Sequence, residues 1–284
     1  MITSLKILFS TPYNKKRPFF AFKRILIWKL IRLFKLSNIR FHLWENRFIY
    51  LNYDSFQSMW IMYNYIVDWE EFNLIAKLVK PGDVVADIGA NMGFYSIWMS
   101  KFTSGDAAIH SFEPDEKNYR RLTKNIETNK LGKLIIANNE AAGAFEGEVY
   151  FTKGLDGENH ITIGQTSSTV KIKQTTLDSY CLRHNIKRLR YCKMDVEGFE
   201  LDVLKGAECL LSEKKIDVLQ LEINTSMQNS TYTAKELLAF VKEFGYSLYG
   251  YNVESNSLYP LQYEDKRENY FAVADINAVN TLLH

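Results

Sequence analysis

Short apolar runs recur through the chain from residue 84 onward, separated by stretches in which apolar positions return every third or fourth residue. That alternation predicts strands separated by helices. Val84 to Ile88 is an apolar run that ends at Gly89, Phe94 to Lys101 reads as a helix, and Ala107 to Phe112 is a second strand ending at Glu113-Pro114. Together they form a βαβ unit. Asp115 to Asn129 has helical spacing through Tyr119, Leu122 and Ile126, and Leu134 to Ala137 supplies a third strand. Later strands are expected at Arg190–Met194, Val218–Ile223, Ser247–Tyr251 and Phe271–Ala274, with helices between them. This order predicts an α/β, Rossmann-like fold, a mostly parallel sheet with helices on both faces. Ligands would be held at the carboxyl ends of the strands near a topological switch point. Residues 148–176 break the rhythm: Glu148–Phe151 and Val170–Gln174 read as strands around the polar loop GLDGENHITIGQTSS, which predicts an inserted β-hairpin.

Upstream of this region the pattern differs. Arg17 to Leu36 mixes large apolar residues with Lys23, Arg24, Lys29, Arg32 and Lys35, too many charges for the roughly 18 uninterrupted apolar residues of a spanning helix. On a helix turning about 100° per residue, Arg24, Lys35, Arg32 and Lys29 share an arc of about 140°, and Lys23 breaks the pattern. Such a basic helix can lie in an anionic membrane interface, pack on the rest of the chain or on a second copy, or touch nucleic acid. Residues 41–53 read as one or two short strands, and 60–79 as one helix closed by Pro81-Gly82. The chain therefore divides into a basic extension, 1–75, and a domain, 76–284. MITSLKILFST lacks a signal-peptide h-region and an A-x-A cleavage site, so no secretory signal is read there.

Composition changes this picture in two places. With 46% hydrophobic and 24% charged residues, the 284-residue chain is an ordinary globular protein, not a disordered, collagen-like or polytopic membrane one. The formal charge of +2 hides a gradient: residues 1–40 hold ten basic and no acidic residues, leaving 25 basic against 33 acidic ones, a balance of −8, in the remainder. That balance speaks against an extended nucleic-acid groove in the domain. Three cysteines, Cys181, Cys192 and Cys209, show neither pairing nor metal spacing, which fits a reducing, cytoplasmic setting, with the extension peripheral at the inner face of the membrane.

Three strand ends carry candidate chemistry. In Asp87-Ile-Gly89-Ala-Asn91-Met-Gly93 the glycines allow a tight turn into a helix, yet their spacing is not G-x-G-x-x-G, and an acid stands where a pyrophosphate would sit. A cationic ligand head is favoured there, as in the sulfonium and ammonium of S-adenosylmethionine; a plain strand-to-helix turn with Asn91 as N-cap also fits. Glu113 lies 26 residues after Asp87, near the spacing at which an acid reaches ribose hydroxyls. Lys193-Met-Asp195-Val-Glu197-Gly-Phe-Glu200 crowds three acids at a third strand end, where alternation would send Asp195 and Glu197 the same way. These two can bind an ammonium, orient a hydroxyl, or hold a divalent ion with Glu222, a metal role that is not favoured. Glu200 reads as charge complementarity at a helix N-terminus.

DIGANMGFYS, FEPDEKNYRRL, NNEAAG, TLDSY, KMDVEGFELDVLKGA and QLEIN occur in the order found in the FkbM family, and over residues 60–225 the chain resembles these class I S-adenosylmethionine-dependent methyltransferases. The resemblance implies a seven-stranded sheet with its last strand antiparallel, and O-methylation of a hydroxyl on a sugar, polyketide or related small molecule, often beside bacterial polysaccharide or natural-product pathways. By position it implies Asp87, Gly89, Asn91 and Gly93 along the methionine, Glu113 on the ribose, Asn139 or Glu140 flanking the adenine, and Asp195 and Glu197 at the transfer site. Asp195 or Glu197 is the candidate base, with His160 from the inserted hairpin as an outside candidate. Two other readings stay open: a non-catalytic, cofactor-binding assembly partner of a membrane-associated glycan pathway, and RNA methylation.

Overall fold

The computed structural model describes residues 11–155, 159–162, 164–223, 232–262, 267 and 269–284. The segment MITSLKILFS, residues 156–158 and 163 of the polar loop, and Asn224 of the QLEIN block lie outside the described residues. Five parallel strands form the centre of the main sheet, in spatial order β5 (Ile135–Asn138), β4 (Ile109–Phe112), β3 (Val85–Ile88), β10 (Leu189–Met194) and β11 (Ile216–Glu222). Beyond β11 come β14 (Asn269–Val273), antiparallel to it, then β12 (Ser247–Asn252) and β13 (Ser257–Pro260). The antiparallel last strand is the expected one, but among the described residues the sheet has eight strands, because β12 turns back on itself to add β13 at the edge. The chain starts the sheet at β3, builds outward to β5, and then returns to lay β10 on the other side of β3. A crevice therefore opens beyond the carboxyl ends of β3 and β10.

Alternation along each parallel strand divides the apolar core in two. Val85, Tyr191 and Val218 face a cluster that includes the helices α4 (Trp69–Leu78), α5 (Phe94–Met99) and α6 (Glu116–Thr128). Ala86, Cys192 and Leu219 face a second cluster with α7 (Leu177–Arg183), α8 (Glu200–Lys205) and α10 (Ala234–Glu243). The first cluster continues without a break into the basic extension: Ala21, Ile25, Trp28 and Ile31 of α2 (Pro18–Leu33) and Ile49 and Leu51 of the β1–β2 hairpin (Ile39–His42, Phe48–Leu51) are all buried in it. Arg24, counted above among the basic arc, turns inward instead. Its guanidinium donates to the Met62 carbonyl (2.9 Å) and to Asn14 Oδ1 (2.6 Å).

Two expectations need correction. The helix expected over 60–79 is two helices, α3 (Phe56–Asn64) and α4, broken at Tyr65, which adopts φ 64°. The β-branched pair Ile66-Val67 follows, and Asp68 stands at the N-cap of α4 without capping it. Its carboxylate instead accepts from the Tyr95 hydroxyl at 2.6 Å. The inserted hairpin is a four-stranded sheet in the order β6 (Ala141–Ala142), β9 (Thr169–Thr175), β7 (Gly147–Thr152), β8 (Ile161–Thr162). β7 and β9 pair antiparallel as expected, while the two-residue strands β6 and β8 are too short to leave an apolar pattern in the sequence. The second sheet meets the main domain where Gly206, after α8, touches Gly143, after β6: a Cβ on Gly206 would stand 2.0 Å from the Gly143 carbonyl oxygen.

Candidate active site

Four neighbouring parallel strands place one polar residue each at the same level near their carboxyl ends: Ser111 on β4, Asp87 on β3, Lys193 on β10 and Gln220 on β11, in mutual register. All four are almost fully buried. Residues in register on parallel strands point to the same face, so they make a continuous polar row under α5. Asp87 Oδ2 accepts from Ser96 Oγ (2.5 Å), Ser96 and Ser111 share a hydrogen bond (2.8 Å), and Lys193 Nζ lies 3.8 Å from Asp87 Oδ1 and 3.1 Å from Asp195 Oδ2. Gln220 donates to Tyr95 Oη (3.2 Å) and Asn269 Oδ1 (2.9 Å) and accepts from Tyr191 (2.8 Å).

The row is rich in acid. Burial pushes the Asp87 carboxyl above its ordinary range against the pull of Lys193, and burial with the Asp195 charge pushes Glu222 well above it; Asp195 also shares a hydrogen bond with Glu222. Glu71 is pushed up to about 8 by burial and by Asp68. Lys193 is buried, yet the charges of Asp195, Asp87 and Glu222 outweigh desolvation and hold its ammonium protonated above the usual lysine range. A buried cation is tolerated only when paired in this way.

The strand-end turns converge on this row. Gly89 (φ 78°) leaves β3 so close to the β10 turn that a Cβ on it would stand 1.8 Å from the Asp195 carbonyl oxygen. Asn91 adopts φ 50° and does not cap α5; the N-cap is Gly93 in the left-handed region, packed on Leu122. The Asn91 amide donates to Glu113 Oε2 (2.7 Å) and the Asp115 amide to Glu113 Oε1 (2.9 Å), so Glu113 clamps the β3 turn to the β4 turn. Burial outweighs these two donors and pushes Glu113 up to about 8. Among the described residues, two buried acceptors here have no hydrogen-bond partner: Asn91 Oδ1 in the turn and Asp87 Oδ1 near the end of β3, the latter ion-paired with Lys193 at 3.8 Å.

The remaining candidates fall around this centre. Asn139 follows β5 and donates to the Glu113 (3.0 Å) and Pro114 (3.3 Å) carbonyls, while the neighbouring Glu140 is half-buried, its carboxyl raised by burial. Asp195 and Glu197 lie past the end of β10, so their directions come from the turn, not from strand alternation, and Glu197 adopts φ 54°. Glu200 is buried and does more than complement a helix end: its Oε1 accepts the Val196 (3.2 Å) and Gly198 (3.3 Å) amides, which holds the turn bearing Glu197, and burial raises it to about 7. His160 stands just before β8, its backbone amide donating to Thr152 Oγ1 (2.9 Å), beside Asn159, whose side-chain amide reaches Asp115 Oδ2 (3.2 Å), two residues beyond Glu113. Among the described residues no cluster of three or more His, Cys, Asp or Glu side chains could hold a metal ion, and Asp195 and Glu222 are joined by a hydrogen bond. The sequence reading missed Lys193, Ser111, Gln220, Tyr95 and Asp68. A cavity of 440 Å³ opens at the opposite end of the strands, beside Asp83, His110 and Arg190, where Arg190 is already paired with Asp83 and Asp217.

Residues 87–248 match the family model described as the methyltransferase FkbM domain. The chain is 22% identical over 182 residues, 64% of its length and 74% of the relative's, to the hexuronic acid methyltransferase AglP of Haloferax volcanii. Among solved structures it is similar to a methyltransferase FkbM from Methylobacillus flagellatus, with TM-score 0.45 and 17% identity, covering 67% of this chain and 43% of that one. The chain thus spans less than half of that protein. Aeropyrum pernix fibrillarin, solved with S-adenosyl-L-methionine bound, gives TM-score 0.41 and 14% identity over 72% of this chain and 76% of that one.

Proposed function

Because the chain belongs to the FkbM methyltransferase family, we propose that it transfers a methyl group from S-adenosylmethionine to a hydroxyl oxygen of a sugar. The observation that carries this reading is a pair of buried acceptors without a hydrogen bond, Asn91 Oδ1 in the turn after β3 and Asp87 Oδ1 near the end of β3, where Lys193 Nζ at 3.8 Å is its ion-pair partner, with further acids around them. They fit a ligand that brings an ammonium group and positive charge, and they do not fit a pyrophosphate. Asp87, Gly89, Asn91 and Gly93 would hold the methionine side, Glu113 would accept from ribose hydroxyls with the lone pairs its two amides leave open, and Asn139 or Glu140 would flank the base. When bound, the cofactor supplies a methyl group on a sulfonium, with a neutral thioether as leaving group.

The protein's part is then positioning and proton removal. Asp195 and Glu197, on the turn braced by Glu200, would orient the acceptor hydroxyl and one would take its proton, with His160 as the outside alternative. Lys193 fixes Asp195 and keeps the buried acids from being left uncompensated. A sugar acceptor follows the character of the hexuronic acid methyltransferase relative. The crowd of carboxylates favours a neutral hydroxyl over an anionic oxygen, since like charge in a half-buried site is unfavourable.

Calorimetric titration of S-adenosylmethionine and S-adenosylhomocysteine into the protein tests the reading. Micromolar binding is expected, weakened ten- to a hundredfold in Glu113→Ala because a charge-assisted hydrogen bond contributes roughly 1.5–3 kcal/mol. No binding by the folded wild-type protein would overturn it. With sugar acceptors at saturating cofactor, Asp195→Asn or Glu197→Gln should lose about a hundred- to ten-thousandfold in turnover. Rates near wild type in both would remove the carboxylates from proton transfer.

A further inference from the structure

We infer that the outward face of α2 docks on an anionic membrane surface. The sixteen-residue helix has two apolar sides. Ala21, Ile25, Trp28 and Ile31 are buried against the protein. At about 100° per residue, Phe22, Leu33, Leu26, Phe19 and Leu30 fall on the other side within an arc of about 80°. These five are between 46% and 74% exposed. The patch continues past the helix end through Phe34 and Leu36, and nine of the fifteen exposed large hydrophobic residues among the described residues lie between Phe19 and Leu36. Scattered apolar exposure is ordinary, whereas concentration on one helix marks a docking surface.

The charges name the occupant. Lys29 and Lys23 flank the apolar arc, one about 20° beyond each rim, where lysine stems can lie along an interface and raise their ammonium groups to headgroup level. Described residues 11–40 contain nine basic and no acidic side chains, and only Arg24 is turned inward to the Met62 carbonyl. A symmetric pairing of two α2 faces would set these like charges against one another. A nucleic acid would meet the basic rim but leave the five apolar side chains without an apolar partner. An anionic bilayer accepts both. Among the described residues no helix is long and apolar enough to cross a membrane, so α2 would lie in the interface plane.

Flotation of the full-length protein with vesicles of 70% phosphatidylcholine and 30% phosphatidylglycerol, and with phosphatidylcholine alone, tests the inference. The protein should float with the anionic vesicles, less so at high salt. Lys23→Gln/Lys29→Gln should weaken binding roughly 25-fold, about fivefold for each lysine removed from an anionic surface. Leu26→Gln/Leu30→Gln/Leu33→Gln, at exposed positions, should abolish flotation without shifting the unfolding midpoint. Absence of flotation, or equal flotation by the leucine variant, would overturn the inference. So would a dimer in sedimentation velocity that the leucine variant abolishes while vesicles are ignored, or salt-sensitive capture of a 30-nucleotide RNA without flotation.

Discussion

At the residue scale, the contact between Gly89 and the Asp195 carbonyl sets the width of the crevice, and it permits a clean comparison. Gly89 and Gly82 both have positive φ, 78° and 89°, but a Cβ at Gly82 would meet nothing within 4 Å. Gly82→Ala should therefore cost only the conformational penalty, about 1 kcal/mol, whereas Gly89→Ala should add about 1–3 kcal/mol of overpacking. Urea unfolding of the two variants checks the difference. The acids and glycines of the strand ends were legible because they sit next to one another in sequence: Asp87 with Gly89, Glu113 with Pro114, Asp195 with Glu197. Ser111, Lys193 and Gln220 were not. Each strand carries other polar residues too (His110 on β4, Arg190 on β10, Asp217 and Glu222 on β11), so no local pattern singles these three out, and only parallel register joins them into a row under Tyr95.

At the element scale, the central strands were legible since a fully buried strand leaves an uninterrupted apolar run bounded by glycine or proline. The break at Tyr65 was hidden because apolar periodicity runs straight through it, and what ends α3 is a left-handed residue that no motif announces. That break places Asp68 against Tyr95. The extension is part of the same packing: Trp28 is 1% exposed among buried aliphatic residues. Trp28→Ala should lose about 3–5 kcal/mol and open the segment before Phe34 to limited proteolysis. Cleavage no faster than in the wild type would show that α2 is held by Arg24 and its carbonyl partners instead.

For the whole molecule, the buried acids set how stability depends on pH. Glu71 and Glu113 are raised to about 8 and Glu200 to about 7, from an ordinary value of 4.5. The folded state therefore binds more protons than the unfolded state between these limits, so this contribution is complete below about 4.5 and is lost as pH rises through 7 to 8. The unfolding midpoint of the ligand-free protein should fall across that range and level off above it. Glu113→Gln should flatten part of the slope in a thermal scan from about pH 5 to about pH 9. A ligand whose hydroxyls favour the ionised carboxylate should release a proton on binding, measurable as buffer-dependent heat.

The Gly143–Gly206 contact bears on how this architecture can vary. Two main chains touch there, and Gln174 fills the space beside Gly143. The angle at which the second sheet leaves the domain is therefore set at its root. At the other end of this sheet, Asn159, just before β8, reaches Asp115 of the domain. The second sheet is thus held to the domain at two separate places, a main-chain contact at its root and a side-chain contact two residues beyond the carboxylate that clamps the strand-end turns, so a change at one leaves the other in place.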